Sequence, residues 1–136
     1  MNAQRGPIPT NLFSSDLPPV TVAVCVLNGE TTIGDCIRSI LALDYPVDRL
    51  SVCVVDNGST DGTRDVLARF PVEVIDEPVR GRGRARNTAW RHCRTPFIAF
   101  TDADCTVSVS WLKELMPAFE DPGIAIVGGD IVTPGD

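Results

Sequence analysis

The chain alternates short runs of β-branched apolar residues with longer stretches that carry apolar residues at helical spacing. The pattern begins at Val20 and continues to about residue 127, with five apolar runs and four helical stretches between them. Strands that alternate with helices are typical of a parallel sheet, because each parallel crossover needs a helix-length connection. We therefore expect an α/β domain with a doubly wound, largely parallel, Rossmann-like sheet and helices on both faces.

The pattern also sets the bounds of the domain. The predicted strands span 20–27, 50–55, 72–75, 97–101 and 124–127, and the predicted helices span 31–43, 60–70, an Arg-rich stretch after residue 80, and 109–119. One face of the first predicted helix carries Ile33, Ile37, Ile40 and Leu41. Residues 1–19 contain four prolines and no sustained period, so we expect a flexible leader before a single domain over 20–136.

Several classes of protein are disfavoured by composition. The longest unbroken apolar run has six residues, 22–27, whereas a membrane-spanning helix needs about 20. The five cysteines are odd in number and include no Cys-x-x-Cys pair, which favours free thiols in a reducing compartment. No secretory signal is visible at the N-terminus. We expect a cytoplasmic protein, whose association with a membrane surface would depend on sequence outside this chain.

Positive charge is concentrated in one segment. Six of the twelve basic residues lie within 80–94, which contains no acid, while all 18 acidic residues lie elsewhere. A local basic segment in an acidic chain points to one anionic ligand, although a solvated helix face or a docking patch would give the same pattern. Nucleic acid would need a broader basic surface with interleaved aromatic residues, so we expect no nucleic-acid partner.

Polar residues follow three of the predicted strands. Asn28 ends the first strand, Asp56 ends the second, and Asp102 and Asp104 follow the fourth. Ligands of open parallel sheets bind outside the carboxyl ends of the strands, so these residues are candidates for a site there. A carboxylate that ends an apolar strand, as Asp56 does, can accept a hydrogen bond from a ligand or bind a cation. Asp61, by contrast, is equally well explained as an acid in the first turn of a helix.

The turn after the first strand excludes two nucleotide-binding motifs. It reads Asn28-Gly29-Glu30 and has one glycine, whereas a dinucleotide-binding domain needs Gly-x-Gly-x-x-Gly at this place. A Walker P-loop is missing as well. Any phosphate would have to be neutralised by the basic segment or by a metal ion.

Asp102 and Asp104 provide the candidate metal site. In extended backbone, residues two apart point to the same side, where two carboxylates repel unless a cation lies near them. Carboxylates without a set of His or thiolate ligands suit magnesium or manganese. Such an ion would bridge a diphosphate and stabilise it as a leaving group. A solvated turn is the alternative interpretation of the same two residues.

Five segments, taken together, resemble family 2 glycosyltransferases with the GT-A fold. They are residues 22–28 (VAVCVLN), 54–63 (VVDNGSTDGT), 81–87 (GRGRARN), 97–104 (FIAFTDAD) and 111–129, which occur in the family's order and spacing. The resemblance implies that Asp56 accepts a hydrogen bond from the nucleotide base and that Arg86 lies by the diphosphate. The chain departs from the family pattern at Asn57, which stands where a second Asp is common.

The resemblance also implies roles for the remaining candidates. Asp102 would contact ribose or the metal, and Asp104 would hold the metal, which is manganese or magnesium. Asn28, Glu30 and Arg84 complete the predicted substrate-binding set.

The activity implied is transfer of a sugar from a nucleotide-diphosphate sugar to an unidentified hydroxyl acceptor, with inversion. A UDP-sugar is the first expectation, with GDP- or dTDP-sugars as alternatives. The family's acceptor site and catalytic base lie further downstream than the 32 residues after Asp104, so we expect an incomplete domain without an identifiable base. Alternatives are a non-catalytic nucleotide-sugar-binding module, an inactive fragment that lacks the catalytic base, and a fragment that does not fold alone. A nucleotidyltransferase would need a Gly-rich basic loop after the first strand, which is missing.

Overall fold

A four-stranded parallel sheet forms the centre of the computed structural model, which describes residues 17–133. The strands are β1 (Val20–Val26), β2 (Leu50–Asp56), β3 (Glu73–Asp76) and β4 (Phe97–Asp102), in the spatial order β3-β2-β1-β4. Every neighbouring pair is parallel, which confirms the predicted sheet. The register places Val26 beside Asp56, and Cys25 beside Asp102. The carboxyl ends of β1, β2 and β4 therefore meet at one edge.

The helices are shorter than the sequence pattern predicts. They are α1 (Ile33–Leu41), α2 (Thr63–Leu67), α3 (Arg82–His92) and α4 (Trp111–Leu115), with 3-10 turns at Val47–Arg49 and Met116–Glu120. The last predicted helix changes from α to 3-10 geometry near Pro117, which has no backbone N–H to continue the α-helical ladder. The longest helix between residues 17 and 133 is α3, with 11 residues, and none is long and apolar enough to cross a membrane.

The strands bury side chains on both faces of the sheet. One face carries the even-numbered valines of β1, which pack with α1, α2 and α4. The other face carries Ala23, Cys53 and Val55, which pack with Ala85 and Ala89 of α3. Because both faces are covered, the strands are almost continuously apolar, and the prediction of helices on both faces is confirmed.

Two details of the predicted core differ. Ile33, Ile37 and Ile40 are fully buried, but Leu41 at the end of α1 is 41% exposed. The predicted leader 1–19 also overlaps the packed domain, because Leu17 packs against the core and its carbonyl accepts a hydrogen bond from Arg49 Nη1 at 2.9 Å. Residues 1–16 of that leader lie outside the described part of the chain.

The predicted fifth strand over 124–127 is wrong. This segment pairs with no strand in the described part of the chain, and Ile126 is 89% exposed. A strand requires a neighbouring backbone to receive its N–H and C=O groups, whereas an apolar run signals only a tendency to be buried. The segment is consequently irregular up to residue 133.

Candidate functional site

A crevice lies at the carboxyl ends of β1 and β4. Connections from β1 lead to β2 on one side of the sheet, while β4 lies on the other side, and ligands of doubly wound sheets bind where the direction changes in this way. The crevice has a volume of about 560 Å³, which is within the range of small-ligand sites. Its lining comes from residues 25–29, Thr32, Asn57, Gly81, Arg82, Ala85, Arg86, Asp102, Ala103 and Asp104.

One side of the crevice carries carboxylates. Asp102 ends β4, and its carbonyl accepts a hydrogen bond from the Cys105 N–H at 3.0 Å, which closes the turn around Asp104. The ligand atoms of Asp102, Asp104 and Cys105 lie within 4.8 Å of one another, the one such cluster that residues 17–133 contain. Two exposed carboxylates at this separation fit a hard divalent cation.

Another side of the crevice carries arginines from α3. Nη2 of Arg86 lies 3.5 Å from Oδ1 of Asp102, and its guanidinium lies 6.0 Å from the centre of the Phe100 ring. Arg82 lines the crevice beside it, because residues four apart occupy the same face of a helix. Arg84 is exposed and does not line the crevice, since two residues correspond to about 200° around the helix.

Asp56 lies beside the crevice but not in its lining. The carboxylate is 1% exposed and points to the same face of β2 as Val54, toward α2. Its Oδ1 accepts a hydrogen bond from the Ser59 N–H at 2.9 Å, and its Oδ2 accepts one from Arg64 Nε at 2.7 Å. Burial alone would raise the pKa of Asp56, but the hydrogen bonds from Ser59 and Arg64 outweigh it and lower the pKa. The group is therefore held as a carboxylate.

Asn57 lines the crevice in place of its neighbour. Its Nδ2 donates hydrogen bonds to the carbonyls of Glu77 and Val79, both at 2.9 Å, and its Oδ1 accepts one from the Gly81 N–H at 2.9 Å. Its own N–H donates to the Val26 carbonyl at 2.8 Å. One residue thus connects β1, β2 and the loop that leads into α3.

Asn28 and Glu30 are engaged with the loop before α2. Asn28 has a positive φ of 53°, and its Oδ1 accepts hydrogen bonds from the N–H groups of Thr60 at 2.7 Å and Asp61 at 3.3 Å. Oε2 of Glu30 accepts one from the Gly62 N–H at 2.8 Å. Asn28 also lines the crevice, whereas Glu30 does not.

Cys25 is the thiol in the crevice lining. Burial, the largest influence, raises its pKa, so the group is a neutral thiol near neutral pH and a poor nucleophile. All five cysteines are free, as the sequence predicts.

The structure brings four predicted site residues into the crevice and leaves three outside. Asn28, Arg86, Asp102 and Asp104 line it, whereas Glu30, Asp56 and Arg84 do not. Sequence reasoning missed Arg82 and Asn57. For Arg82 the signal was its spacing of four from Arg86. Asp130, near the end of the described residues, does not line the crevice.

Comparison with known sequences finds matches to glycosyltransferases. The family model described as glycosyl transferase family 2 matches residues 21–136. Glycosyltransferase AglE of Haloferax volcanii is 32% identical over 125 residues, which cover 88% of this chain and 41% of AglE. The chain thus spans about two fifths of the length of that relative.

Solved structures show the same fold in longer chains. TarS of S. aureus in complex with UDP-GlcNAc has a TM-score of 0.68 and 28% identity, over 76% of this chain and 31% of TarS. The mannosyltransferase PcManGT from Pyrobaculum calidifontis, in complex with GDP-Man and Mn²⁺, has a TM-score of 0.64 and 35% identity, over 68% of this chain and 30% of that chain. These likenesses confirm the expected GT-A architecture, and both solved chains extend beyond the matched region.

Proposed function

Because the chain belongs to glycosyl transferase family 2, we propose that it is the donor-binding part of a glycosyltransferase that transfers a sugar from a nucleotide-diphosphate sugar to a hydroxyl acceptor. The observation that carries this proposal is the arrangement of opposite charges in one crevice. Asp102 and Asp104 supply negative charge, and Arg82 and Arg86 supply positive charge beside them. A diphosphate with a divalent cation has the complementary arrangement, since the cation suits carboxylates and the phosphate oxygens suit guanidinium groups.

The carboxylates would hold manganese or magnesium. Their donor atoms are hard oxygens, and PcManGT was solved with Mn²⁺ and GDP-Man. When bound there, the cation neutralises the diphosphate and stabilises it as a leaving group. Arg86 and Arg82 orient the diphosphate by donating N–H groups to its oxygens, and Asp102 keeps Arg86 directed into the crevice.

The donor is proposed to be a UDP-sugar, with GDP- or dTDP-sugars as alternatives, and the transfer is proposed to invert the anomeric centre. UDP-GlcNAc in TarS and GDP-Man in PcManGT support a nucleotide-sugar donor. Transfer requires a base that takes the acceptor proton. The two carboxylates among the described crevice residues are assigned to the cation, so we assign the base to none of residues 17–133. Analysis of the product anomer by NMR would test the inversion.

The proposed location is a reducing compartment, the cytoplasm. Its support is that all five cysteines are free. Thiol labelling of the protein in intact cells would test this location.

Calorimetric titration of the chain with UDP and with GDP, each with and without Mn²⁺, tests the proposal. We expect Mn²⁺-dependent binding of one of the two nucleotides, with circular dichroism of the same sample showing a folded chain. A folded chain that binds neither nucleotide would contradict a donor site. Binding without sugar transfer to any acceptor by the longest natural form of the protein would instead favour the alternative of a non-catalytic binding module.

A further inference from the structure

We propose that Asn57 is a positioning residue, whose side-chain amide holds the loop 77–81 and thereby places the arginines of α3 in the crevice. The inference rests on the proposed function, because those arginines are taken to bind the donor diphosphate. It assigns to Asn57 a task that depends on an amide.

The contacts of Asn57 match the amide group and no other side chain of its size. Nδ2 has two hydrogens, and they meet two carbonyls, those of Glu77 and Val79. Oδ1 is an acceptor, and it meets the N–H of Gly81. All three distances are 2.9 Å, and the residue is only 5% exposed. A carboxylate would set an acceptor against two carbonyl oxygens, because it has no hydrogen to donate.

Gly81 transmits this contact to the helix. It is the N-cap of α3, and its φ of 146° is a conformation that favours glycine. Its N–H is held by Asn57, and its carbonyl accepts the hydrogen bond of the Ala85 N–H at 2.9 Å. Arg82 follows Gly81 directly, and Arg86 lies one turn later. A shift of Gly81 therefore moves both guanidinium groups.

Apolar packing contributes little to the position of α3, so polar contacts hold it as well. Besides Asn57, Thr88 Oγ1 of α3 donates to Glu77 Oε2 at 2.6 Å. The helix meets the sheet through Ala85 and Ala89, whose methyl groups bury little area and do not interlock with the sheet as larger side chains would. The start of the loop is held independently, because the Glu77 N–H donates to the Asp56 carbonyl at 3.0 Å. Asn57 supplies ties to the middle and the end of the loop.

Asn57→Asp and Asn57→Ser test the role, with Asn87→Asp as control. The aspartate is isosteric but loses both donors, and the serine replaces them with a single hydroxyl donor on a shorter side chain, without adding charge. Asn87 is exposed on α3 outside the crevice lining, so its variant makes the same chemical change without touching the loop. Circular dichroism shows whether each variant is folded. If the aspartate variant is unfolded, the measurements are made on the serine variant alone.

The first measurement is amide hydrogen exchange of the ligand-free chain. We expect faster exchange in both Asn57 variants at Gly81, whose N–H donates to Asn57 Oδ1. Exchange at Val79, whose N–H donates to Glu77 Oε1 within the same loop, should rise as the loop loosens, with the amides of β1 and β2 unchanged. Asn87→Asp should leave all of them unchanged. Unaltered exchange at Val79 and Gly81 would overturn the proposal, and acceleration throughout the sheet would show a general loss of stability instead of a local one.

The second measurement is titration with UDP and with inorganic pyrophosphate, each with Mg²⁺. If Asn57 acts through the arginines, both ligands should bind about tenfold more weakly to the Asn57 variants, by similar factors. This is less than outright loss of a charge-assisted hydrogen bond, because the guanidinium groups are displaced and not removed. Weaker binding of UDP with unchanged binding of pyrophosphate would overturn the proposal, because Asn57 would then contact the nucleoside directly. If the wild-type chain binds neither ligand, the proposed function fails, whereas the exchange result still decides whether Asn57 holds the loop.

Discussion

Strands β2 and β4 each end in an aspartate, and the loop that follows each strand carries a second one. The surroundings of these side chains differ between the two loops. Asp56 is 1% exposed, and both of its oxygens accept hydrogen bonds from the protein. Asp61 in the same loop accepts from the N–H groups of Thr63 at 3.0 Å and Glu30 at 3.2 Å. The side chain of Asp102, by contrast, is 65% exposed, and its ion-pair partner Arg86 is 3.5 Å away.

This difference separates a scaffold from a binding surface. Carboxylates whose oxygens already accept internal hydrogen bonds stabilise the fold, and a ligand would have to replace those bonds. Carboxylates that face a crevice with exposed oxygens can take a cation without such replacement. Residue type and position at the end of a strand are the same in the two loops, so their hydrogen-bond partners decide the role. Substitutions in the two loops should accordingly change different quantities.

The largest effect is expected for Asp104→Ala in the loop after β4. The variant loses a metal ligand and its charge, so Mn²⁺-dependent UDP binding should fall by at least about a hundredfold. Calorimetry measures the affinity, and thermal unfolding should show a nearly unchanged Tm. Asp48→Ala, an exposed site outside the crevice, is the matched control. A large loss of Tm with retained affinity would reverse the assignment of the two loops.

Arg86→Ala should have the second largest effect on binding. Loss of a charge-assisted hydrogen bond to phosphate corresponds to about 2 kcal/mol, or roughly thirtyfold in affinity. The difference between wild type and variant should shrink at high salt, because the half-exposed guanidinium is screened. Arg94→Ala, exposed outside the crevice lining, is the control. If both variants lost the same affinity, the basic segment would act through its general field instead of through Arg86.

Asp56→Asn should lower stability instead of affinity. The amide weakens the contacts with the Ser59 N–H and Arg64, and because Arg64 is half exposed we expect a loss of about 1.5 kcal/mol in the free energy of unfolding. Urea unfolding measures this loss. Affinity for UDP, measured where both proteins are folded, should change little. A greater loss of affinity than in Arg86→Ala would mean that Asp56 contacts the ligand.

Comparison of the wild type with Asp56→Asn should also show how stability depends on pH. The folded-state pKa of Asp56 is lowered from 3.8, so its contribution is present above that value and is lost as the pH falls through the folded-state pKa. The wild type should therefore lose more stability than Asp56→Asn when the pH is lowered from about 5 to about 3. Parallel stability curves for the two proteins would contradict the lowered pKa.

Sequence periodicity was enough for the fold because its signal is local. The alternation of apolar runs and helical stretches located β1 to β4 and the helices between them, and the buried face of α1 followed from its spacing. It failed at 124–127, where apolar character alone could not supply a pairing partner. The pattern also placed the start of the second helix too early, at Thr60. Helix α2 begins only at Thr63, because the N–H groups of Thr60 and Gly62 donate to the side chains of Asn28 and Glu30.

The site was less predictable because neighbouring residues on a strand face opposite sides of the sheet. Asp56 and Asn57 are adjacent in the sequence, yet one points toward α2 and the other lines the crevice. To predict which of the two residues enters the crevice, one must know which face of the sheet each helix covers. That depends on the assembled sheet and not on the local sequence. Asp102 and Asp104 were predictable as a pair at the end of β4. The turn at residues 103–104, and not the extended backbone that the prediction assumed, brings their carboxylates together.

Glu30→Gln should have the smallest effect and gives the sharpest test of the scaffold loop. The carboxamide oxygen can still accept the hydrogen bond of the Gly62 N–H, so the change removes charge and little else. We expect the free energy of unfolding to change by no more than about 0.5 kcal/mol, with UDP affinity unchanged. Glu30→Ala, which removes the acceptor as well, should be the less stable of the two. A tenfold loss of affinity in Glu30→Gln would place the charge of Glu30 in the donor site, and the division between the two loops would not hold there.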